Sequence, residues 1–463
     1  MKRFLGLLFI ATLCISCSDD LDDNIQASSP GTVSDFIYRG LNFWSLYKAD
    51  VPDLDNDRFS SQAERNEFLN QFESPEVAFQ ALLSPQDRFS ILRSDFIELE
   101  NALAGIRLSS GMRFSILVDP NNSENLFGVV RFVINNSPAQ AAGVQRGMLF
   151  TAINGTPLTT SSNLTAIFNQ TSFTINLADY DGTSFTLNGN SIDLTQVELS
   201  INPVHTVRTF EIEGEQVGYL HYTGFTNEFD SQLNEAFGQF QAAGITDLIL
   251  DLRYNGGGSI ESSNDLSSMI TGQFNDEIFI TQRYNEDRNA DFEVDRLFNS
   301  TISNGNAINS LGLTRVFVLT SGSTASASEL ILSALDPYIE VIQIGTNTSG
   351  KFEGSFLLYD APAPNFSRGQ ANINHRYVML PLVLRSVNAQ GLTDYFDGFT
   401  PDIELAETFD NLGQLGMPGE PLFDIAIGEI TGTKSTRTLN TTPDKVYFES
   451  DQKDPFYQRM LLE

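Results

Sequence analysis

Three polar stretches of the sequence contain residue types that could perform nucleophilic chemistry together, and each follows an apolar run typical of a buried strand. The first follows the run 316–319 and opens a helix, which places Ser326 at a strand-to-helix turn. A hydroxyl that attacks a carbonyl there would have helix N-terminal N–H groups close to the developing oxyanion. Ser326 and Glu329 also have the spacing of a capping box, so a purely structural role for the pair is the alternative.

The second stretch is the glycine-containing loop 346–351, which directly follows the apolar run 339–344 and ends in Lys351. Neighbouring parallel strands end at the same edge of a sheet, so this loop could bring Lys351 beside Ser326. A lysine becomes a general base when burial lowers its pKa, because desolvation disfavours the ammonium form. A solvated surface lysine is the alternative interpretation.

The third stretch is the apolar run 248–252, which continues through Arg253 into three glycines at 256–258. Glycines let backbone N–H groups approach a ligand closely and adopt positive φ, as an oxyanion hole requires. Gly257 or Gly258 could therefore supply oxyanion donors. A plain turn explains a glycine triplet equally well.

The apolar pattern also divides the chain into the regions that must position these residues. Residues 33–106 have mostly helical spacing, and residues 107–203 contain short strands separated by Gly, Asn and Asp turns. Residues 204–405 alternate buried strands with helices, which predicts a largely parallel sheet with crossover helices. The polar, Gly- and Pro-punctuated residues 406–463 predict a peripheral C-terminal extension. We therefore predict a multi-domain fold of the α/β and β classes.

The N-terminus predicts export. Lys2 and Arg3 precede the apolar run 4–15, which fits a signal-peptide core and is shorter than the ~20 residues that span a bilayer. Residues 14–17 resemble a bacterial lipobox, although Cys14 stands where Leu is usual. This resemblance implies a lipoprotein signal peptide at 1–16, lipidation of Cys17 and a flexible acidic tether at 17–32. The protein would then be anchored by its lipid to the outer membrane of a Gram-negative bacterium, at the periplasmic face or cell surface. An ordinary cleaved signal peptide is the alternative.

Composition excludes several classes of function. The chain has 59 acidic and 27 basic residues, a formal net charge of −32, which would repel a nucleic-acid backbone. Its two cysteines are Cys14 and Cys17, so the mature domains would have no disulfide, thiolate metal site or cysteine nucleophile. The three histidines, at 205, 221 and 375, form no pattern of metal ligands, and we expect each to be structural or exposed.

Together and in this order, the three polar stretches resemble the carboxyl-terminal processing peptidases, also called tail-specific proteases. The family motif Asp-Leu-Arg-x-Asn-x-Gly-Gly matches residues 251–258. The family run Ser-Ala-Ser-Ala-Ser-Glu matches residues 324–329, with Thr324 in place of the first serine. Lys351 follows Ser326 by the family's interval of 25 residues, but Ser349 and Phe352 stand where Phe and Gly are usual. The resemblance covers roughly residues 35–405 and implies a catalytic core of the ClpP/crotonase-like type.

The resemblance implies a serine endopeptidase that needs no cofactor and no metal. Ser326 would be the nucleophile, Lys351 the general base, and Glu329 would orient the lysine. The implied donors of the oxyanion hole are the N–H groups of Ala327 and of Gly257 or Gly258.

Residues 137–155 resemble the permuted PDZ domain that this family inserts before its catalytic core, although Met148 replaces the usual Asp. Such a domain binds a protein's free C-terminal tail as an added strand, with backbone N–H groups holding the terminal carboxylate. The resemblance implies that the carboxylate-binding loop lies at Gly111, Met112, Arg113 and Phe114. Proteins or peptides with free C-terminal tails would be the substrates.

Two other functions remain open. A fold does not guarantee its chemistry, so a non-catalytic, lipid-anchored binding or scaffold protein that retains the protease fold is the main alternative. The second is a serine hydrolase that recruits His375, because triads assemble in space and sequence separation does not exclude one.

Overall fold

The computed structural model describes residues 30–433 and 442–462. The predicted signal peptide, Cys17 and most of the predicted tether lie outside these residues. Within the described ranges the α-helices are α1 (Pro30–Trp44), α2 (Gln62–Leu69), α3 (Pro75–Ala81), α4 (Phe96–Leu103), α5 (Pro138–Ala141), α6 (Leu164–Phe168), α7 (Asp230–Ala243), α8 (Ile260–Ile270), α9 (Glu286–Phe292), α10 (Ala327–Leu335) and α11 (Pro421–Thr431). The strands are β1 (Ile91–Arg93), β2 (Ile106–Ser109), β3 (Met112–Asp119), β4 (Asn122–Val133), β5 (Leu149–Ile153), β6 (Thr156–Pro157), β7 (Ser172–Tyr180), β8 (Phe185–Thr195), β9 (Val197–Ser200), β10 (Val204–Ile212), β11 (Glu215–Tyr222), β12 (Asp247–Asp251), β13 (Gly257–Ser259), β14 (Ile278–Arg283), β15 (Val294–Leu297), β16 (Arg315–Thr320), β17 (Glu340–Gly345), β18 (Glu353–Ser355), β19 (Leu358–Tyr359), β20 (Val378–Leu380), β21 (Leu382–Val387), β22 (Ile403–Glu404), β23 (Val446–Glu449) and β24 (Arg459–Leu461).

A largely parallel sheet forms the centre of the molecule, as the sequence predicts. Its strand order is β10-β11-β12-β16-β17-β22, and every pair except β10-β11 is parallel. Helix α7 connects β11 to β12, and α10 connects β16 to β17. Strand β12 is buried along its whole length, which explains why its sequence is a continuous apolar run rather than an alternating one. Thr320 pairs with Gly345, so the loops after β16 and β17 leave the same edge of the sheet.

A second sheet, in the order β13-β24-β18-β21-β14-β15, lies beside the first and carries both the glycine triplet and the segment after Lys351. Strand β24 is parallel to both of its neighbours, with Arg459 opposite Gly257 and Met460 opposite Gly354. The chain's last described residues are therefore internal to this sheet. The expectation of a peripheral extension after residue 405 is wrong for this segment, because Met460 is completely buried in the main core.

The β-rich region forms a separate module with its own core. Its antiparallel sheet has the order β23-β3-β4-β5-β7-β8, with β6 paired to β5. Phe114, Val130, Phe150 and Ile175 pack in the centre of the module. Strand β23 comes from the C-terminal region and pairs with the edge of β3, so the module is completed by residues more than 300 positions away.

The helical N-terminal region shares a core with the parallel sheet. Phe36, Leu41 and Trp44 of α1 belong to the same buried cluster as Leu250 of β12 and Leu330 of α10. The region is therefore helical, as predicted, but it packs as part of the central core. Over the described ranges, no helix combines the length and apolar character needed to cross a membrane.

Candidate active site

Ser326 occupies the turn between the loop after β16 and helix α10. Its φ is 64° and its side chain is completely buried. A non-glycine residue with positive φ is strained and persists only when its surroundings fix it. Here the surroundings are bonds from the flanking loop: Thr324 Oγ1 donates to the carbonyl of Leu252 at 2.8 Å, and Ser328 Oγ donates to that of Asn255 at 3.0 Å. Among the described residues, Ser326 Oγ has no hydrogen-bond partner.

Glu329 joins the serine turn to the lysine loop. Its Oε2 accepts hydrogen bonds from the backbone N–H groups of Ser326 and Lys351, both at 2.8 Å. Its Oε1 accepts from the Gly350 N–H and the Thr348 hydroxyl, both at 2.6 Å. Burial raises the pKa of this carboxyl, although the four hydrogen bonds favour its charged form. Glu329 thus contacts the main chain of Lys351, whereas the resemblance implied only that it would orient the lysine.

The ammonium group of Lys351 lies next to Glu353. Nζ donates to the Glu353 carbonyl, is 3.5 Å from Glu353 Oε2, and lies 4.9 Å from the centre of the Phe89 ring. Complete burial lowers the pKa of Lys351 to about 8, while Glu353 and Asp87 act in the opposite direction. Among the described residues no hydrogen bond joins Nζ to Ser326 Oγ. Sequence reasoning missed Glu353, although its position two residues after the lysine at a strand was the available signal.

The two departures from the family pattern around Lys351 are both accommodated by packing. The Ser349 N–H donates to the carbonyl of Thr324 at 3.0 Å, which links the lysine loop to the serine loop. The Phe352 ring is buried, with its centre 5.5 Å from that of Tyr395 and 4.8 Å from that of Phe396. These aromatic contacts help to exclude water from the lysine.

The glycine triplet lies directly against the serine. A Cβ on Gly257 would be 2.6 Å from Ser326 Cβ and 2.9 Å from Ser326 Oγ, so only glycine fits there. The Gly257 N–H donates to Asn255 Oδ1 at 2.9 Å and is therefore occupied in this conformation. Ala327 is the first residue of α10, where backbone N–H groups lack intrahelical acceptors. Ala327 and Gly258 are thus the remaining candidate oxyanion donors.

A buried charge network supports the strand that leads to the glycines. Arg253 is completely buried and contacts Asp251 at 2.7 Å, Glu420 at 2.7 Å and Glu407 at 3.1 Å. Glu407 also pairs with Arg146 of the β-rich module. Burial alone would raise the pKa of Glu407, but the surrounding guanidinium groups hold it at about 2. The module and the parallel sheet are therefore connected through one carboxylate, which the sequence did not single out.

The three histidines lie in other contacts. His375 Nε2 is 3.0 Å from Asp360 Oδ2, and its ring packs near Phe36 and Tyr377. The rings of His205 and His221 contact each other, with their Nδ1 atoms 3.1 Å apart. Burial lowers the pKa of both. In the described part of the chain none of the three is hydrogen-bonded to Ser326, so the geometry gives no support to a histidine-based triad.

The predicted carboxylate-binding loop lies at the start of β3. Gly111 has a φ of 85° and precedes Met112, the first residue of the strand. Met112, Arg113 and Phe114 line a cavity of about 650 Å³, which is bounded on another side by Phe168 at the end of α6. These residues are therefore grouped around a cavity that lies between the β-rich module, helix α4 and the C-terminal residues 450–455.

The known proteins that this chain resembles include carboxyl-terminal-processing peptidases and proteases. Carboxyl-terminal-processing peptidase 3 from the chloroplast of Arabidopsis thaliana is 26% identical over 246 residues, which are 50% of this chain and 44% of that protein. A carboxyl-terminal-processing protease of Synechocystis is 24% identical over 322 residues, 68% of this chain and 67% of that protein. The chain spans about half or less of the length of the first three curated relatives it matches.

A solved structure of an S41-family protein from Bacteroides fragilis has the same fold. It superposes with a TM-score of 0.69 at 23% sequence identity and covers 86% of this chain and 98% of its own. The family model for peptidase family S41 matches residues 216–358, a range that includes Ser326, Glu329 and Lys351. The model for the peptidase S41 N-terminal domain matches residues 32–91. Two regions of the chain therefore match the N-terminal and peptidase models of family S41, which confirms the resemblance to the carboxyl-terminal processing peptidases.

Proposed function

We propose that this protein is a serine endopeptidase in which Ser326 is the nucleophile and Lys351 the general base. The observation that carries the proposal is the shared carboxylate of Glu329. The backbone nitrogens of Ser326 and Lys351 are each 2.8 Å from Glu329 Oε2, so the two nitrogens are separated by no more than twice that distance. The main chain of a buried lysine with a pKa of about 8 is thereby kept close to that of a serine with strained backbone, whose hydroxyl has no hydrogen-bond partner in the described part of the chain.

The reaction follows from these positions. Ser326 Oγ attacks the carbonyl carbon of the scissile bond, and its proton passes to neutral Lys351 Nζ. The N–H groups of Ala327 and Gly258 stabilise the resulting oxyanion. The C–N bond then breaks, Nζ gives the proton to the leaving amine, and an acyl-enzyme remains. Water attacks the ester with Lys351 again as base, which releases the second product and restores the serine.

Before the first proton transfer, Lys351 Nζ must exchange its bond to Glu353 for one to Ser326 Oγ. This exchange moves only the end of the flexible Lys351 side chain. The backbone of Lys351 can stay where Glu329 holds it. A substrate that excludes water from the site would favour the neutral lysine, because desolvation disfavours its charged form.

Substrates are proteins with accessible C-terminal tails, and the β-rich module is the domain that binds these tails in a PDZ-like manner. Two features support this part of the proposal. The loop at Gly111 leads into β3, whose edge away from β4 lies near the end of α6 and already accepts a strand, β23. The cavity beside Arg113 could receive a carboxylate group.

The test is cleavage of an unstructured reporter protein that ends in an apolar residue with a free carboxylate. The chain from Ser18 onward is compared with its Ser326→Ala and Lys351→Ala variants, after thermal unfolding has shown that both fold. Exposed Ser172→Ala and Lys445→Ala are matched controls. We expect cleavage by the parent and the controls and none by the two active-site variants. A parent that binds the tail without cutting it would instead identify a binding or scaffold protein.

We also propose that Cys17 carries the lipid that anchors the protein to the outer membrane. Support comes from the sequence alone: the apolar run 4–15 and the lipobox-like residues 14–17. Metabolic labelling with an alkyne fatty acid should label the parent chain and leave Cys17→Ala unlabelled. Labelling of both proteins would refute the assignment.

A further inference from the structure

The peptide edge of the β-rich module is already filled by the chain itself. Strand β23 pairs with β3 in antiparallel register, with Phe448 opposite Ile116 and Glu449 opposite Ser115. Its carboxyl end points toward the loop at Gly111, since the partners on β3 descend from Leu117 to Ser115. An added peptide strand would take the same place and direction if its terminus were held by that loop.

Side-chain contacts hold this segment as they would hold a ligand. The Phe448 ring lies beside two aromatic rings of the module that contact each other, with its centre 6.0 Å from that of Phe168 of α6 and 6.4 Å from that of Phe114 of β3. Ser450 Oγ accepts a hydrogen bond from the Phe114 N–H at 3.1 Å. The carboxylate of Asp451 is 2.7 Å from Arg113. Oxygen atoms of residues 450 and 451 thus stand where the terminal carboxylate of a tail would bind.

We propose that residues 446–451 are an internal ligand of the groove between β3 and α6, and that a protein tail binds by replacing them. The inference rests on the proposed role of the module in tail recognition. It predicts that a tail carries an aromatic side chain that packs against Phe114 and Phe168, followed two residues later by a free carboxylate that faces the Phe114 N–H and Arg113. A carboxylate accepts this hydrogen bond more strongly than the hydroxyl of Ser450, because charge-assisted bonds are stronger.

Burial of two carboxyl groups, those of Glu449 and Asp451, also weakens the binding of residues 446–451 to the groove. Burial raises the pKa of Glu449 to about 7, with Asp451 acting in the same direction, while Arg131 and the Ser115 hydroxyl oppose the shift. Burial likewise raises the pKa of Asp451, although Arg113 opposes this. Val446 and Tyr447 on the same strand are nearly half exposed. An incoming tail therefore competes with a strand that is short, partly solvated and charged, although its tether gives it a high effective concentration.

The experiment measures binding of a fluorescein-labelled pentapeptide, Val-Tyr-Phe-Glu-Ser, that copies residues 446–450 and ends in a free carboxylate. Fluorescence anisotropy is recorded with the chain from Ser18 onward carrying Ser326→Ala, so binding is separated from cleavage. Phe448→Ala and Ser450→Ala weaken the internal ligand, and exposed Leu187→Ala on β8 is the matched control. The same peptide with a C-terminal amide tests the carboxylate.

We expect Phe448→Ala to bind the peptide about tenfold more tightly than the parent and the control, as removal of a tethered competitor predicts. Ser450→Ala should also bind the peptide more tightly than the parent. If Phe448→Ala does not fold, the affinity of Ser450→Ala tests the proposal. Saturating peptide should accelerate hydrogen exchange of the amides of β23. Equal affinity in all variants, or unchanged protection of β23, would show a permanent structural strand and overturn the proposal. Absence of binding in every variant would refute the tail site itself, without bearing on the catalytic test.

Discussion

Replacement of Glu353 by Gln should move the pH profile of the peptidase to lower pH. The Glu353 carboxylate is 3.5 Å from Lys351 Nζ, and both side chains are completely buried. The negative charge stabilises the ammonium form and so raises the lysine pKa against the stronger effect of burial. Gln is nearly isosteric and can still accept the hydrogen bond that Tyr47 donates to Oε1 at 2.6 Å. The substitution therefore removes charge with little change of shape.

The expected shift is large enough to measure. At 3.5 Å, an effective dielectric constant of about 20 gives an interaction of about 4–5 kcal/mol between unit charges. A shift of one pH unit needs only about 1.4 kcal/mol. With a pKa of about 8, roughly one lysine in ten is neutral at pH 7, and with a pKa one unit lower about half are. If the neutral lysine is the base, kcat/KM at pH 7 should rise about fivefold.

The assay is kcat/KM for an internally quenched peptide, measured from pH 5.5 to 9.5 at substrate concentrations far below KM. The parent should gain activity up to its lysine pKa and then level off, and the variant should level off at lower pH. Glu404→Gln, at an exposed position on the outermost parallel strand, is the matched control. A profile that is unchanged in the Glu353 variant, or displaced to higher pH, would refute a lysine base controlled by this carboxylate.

Three further variants test other parts of the structure. Gly257→Ala should reduce kcat/KM by at least about 100-fold, because the new Cβ would meet Ser326 Cβ at 2.6 Å; near-normal turnover would contradict this packing. Glu407→Ala should lower the free energy of unfolding in urea by about 3–5 kcal/mol, since it leaves buried Arg253 with one carboxylate fewer; a loss below 1 kcal/mol would contradict the network. Glu449→Gln should flatten the pH dependence of tail binding. In the parent the docked strand is most stable below the free carboxyl pKa and loses stability as pH rises through about 7, so the affinity for a tail peptide that carries Gln in place of this Glu should rise as pH increases from about 4.5 to about 7.

Local sequence patterns were sufficient to predict the parallel sheet and the turns at its edge. Strands β12 and β16 are buried on both faces, so their sequences are continuous apolar runs that stand out without knowledge of their partners. The order of strand and helix then fixes parallel neighbours and brings the following loops to one edge. This reasoning placed Ser326 and the lysine loop together, and the bonds of Glu329 to both now provide the contact.

Local sequence patterns could not predict which distant segments of the chain pair with each other. Strand β24 has three residues, too few for any periodicity, and its place between β13 and β18 depends on partners about 200 and 100 residues earlier in the chain. The polar residues that precede it suggested a peripheral extension. Glu407 was missed for a related reason: a buried carboxylate is recognisable only when its guanidinium partners, Arg146 and Arg253, are seen to converge on it.

The described conformation is one from which catalysis requires only local exchanges of hydrogen bonds. Lys351 Nζ is bonded to Glu353, the Gly257 N–H is bonded to Asn255, and Ser326 Oγ has no partner among the described residues. The Glu329 bonds that fix both main chains need not change. Because Ala327 and Gly258 supply the proposed oxyanion donors, the Gly257 N–H can keep its bond, and substrate contacts need only supply the free energy for rearranging the Lys351 side chain, rather than for moving a domain. On this reasoning, Glu353→Gln removes the carboxylate 3.5 Å from Lys351 Nζ but keeps the backbone carbonyl to which Nζ donates, so it should change the pH at which the lysine becomes neutral without removing the bond that Nζ must leave.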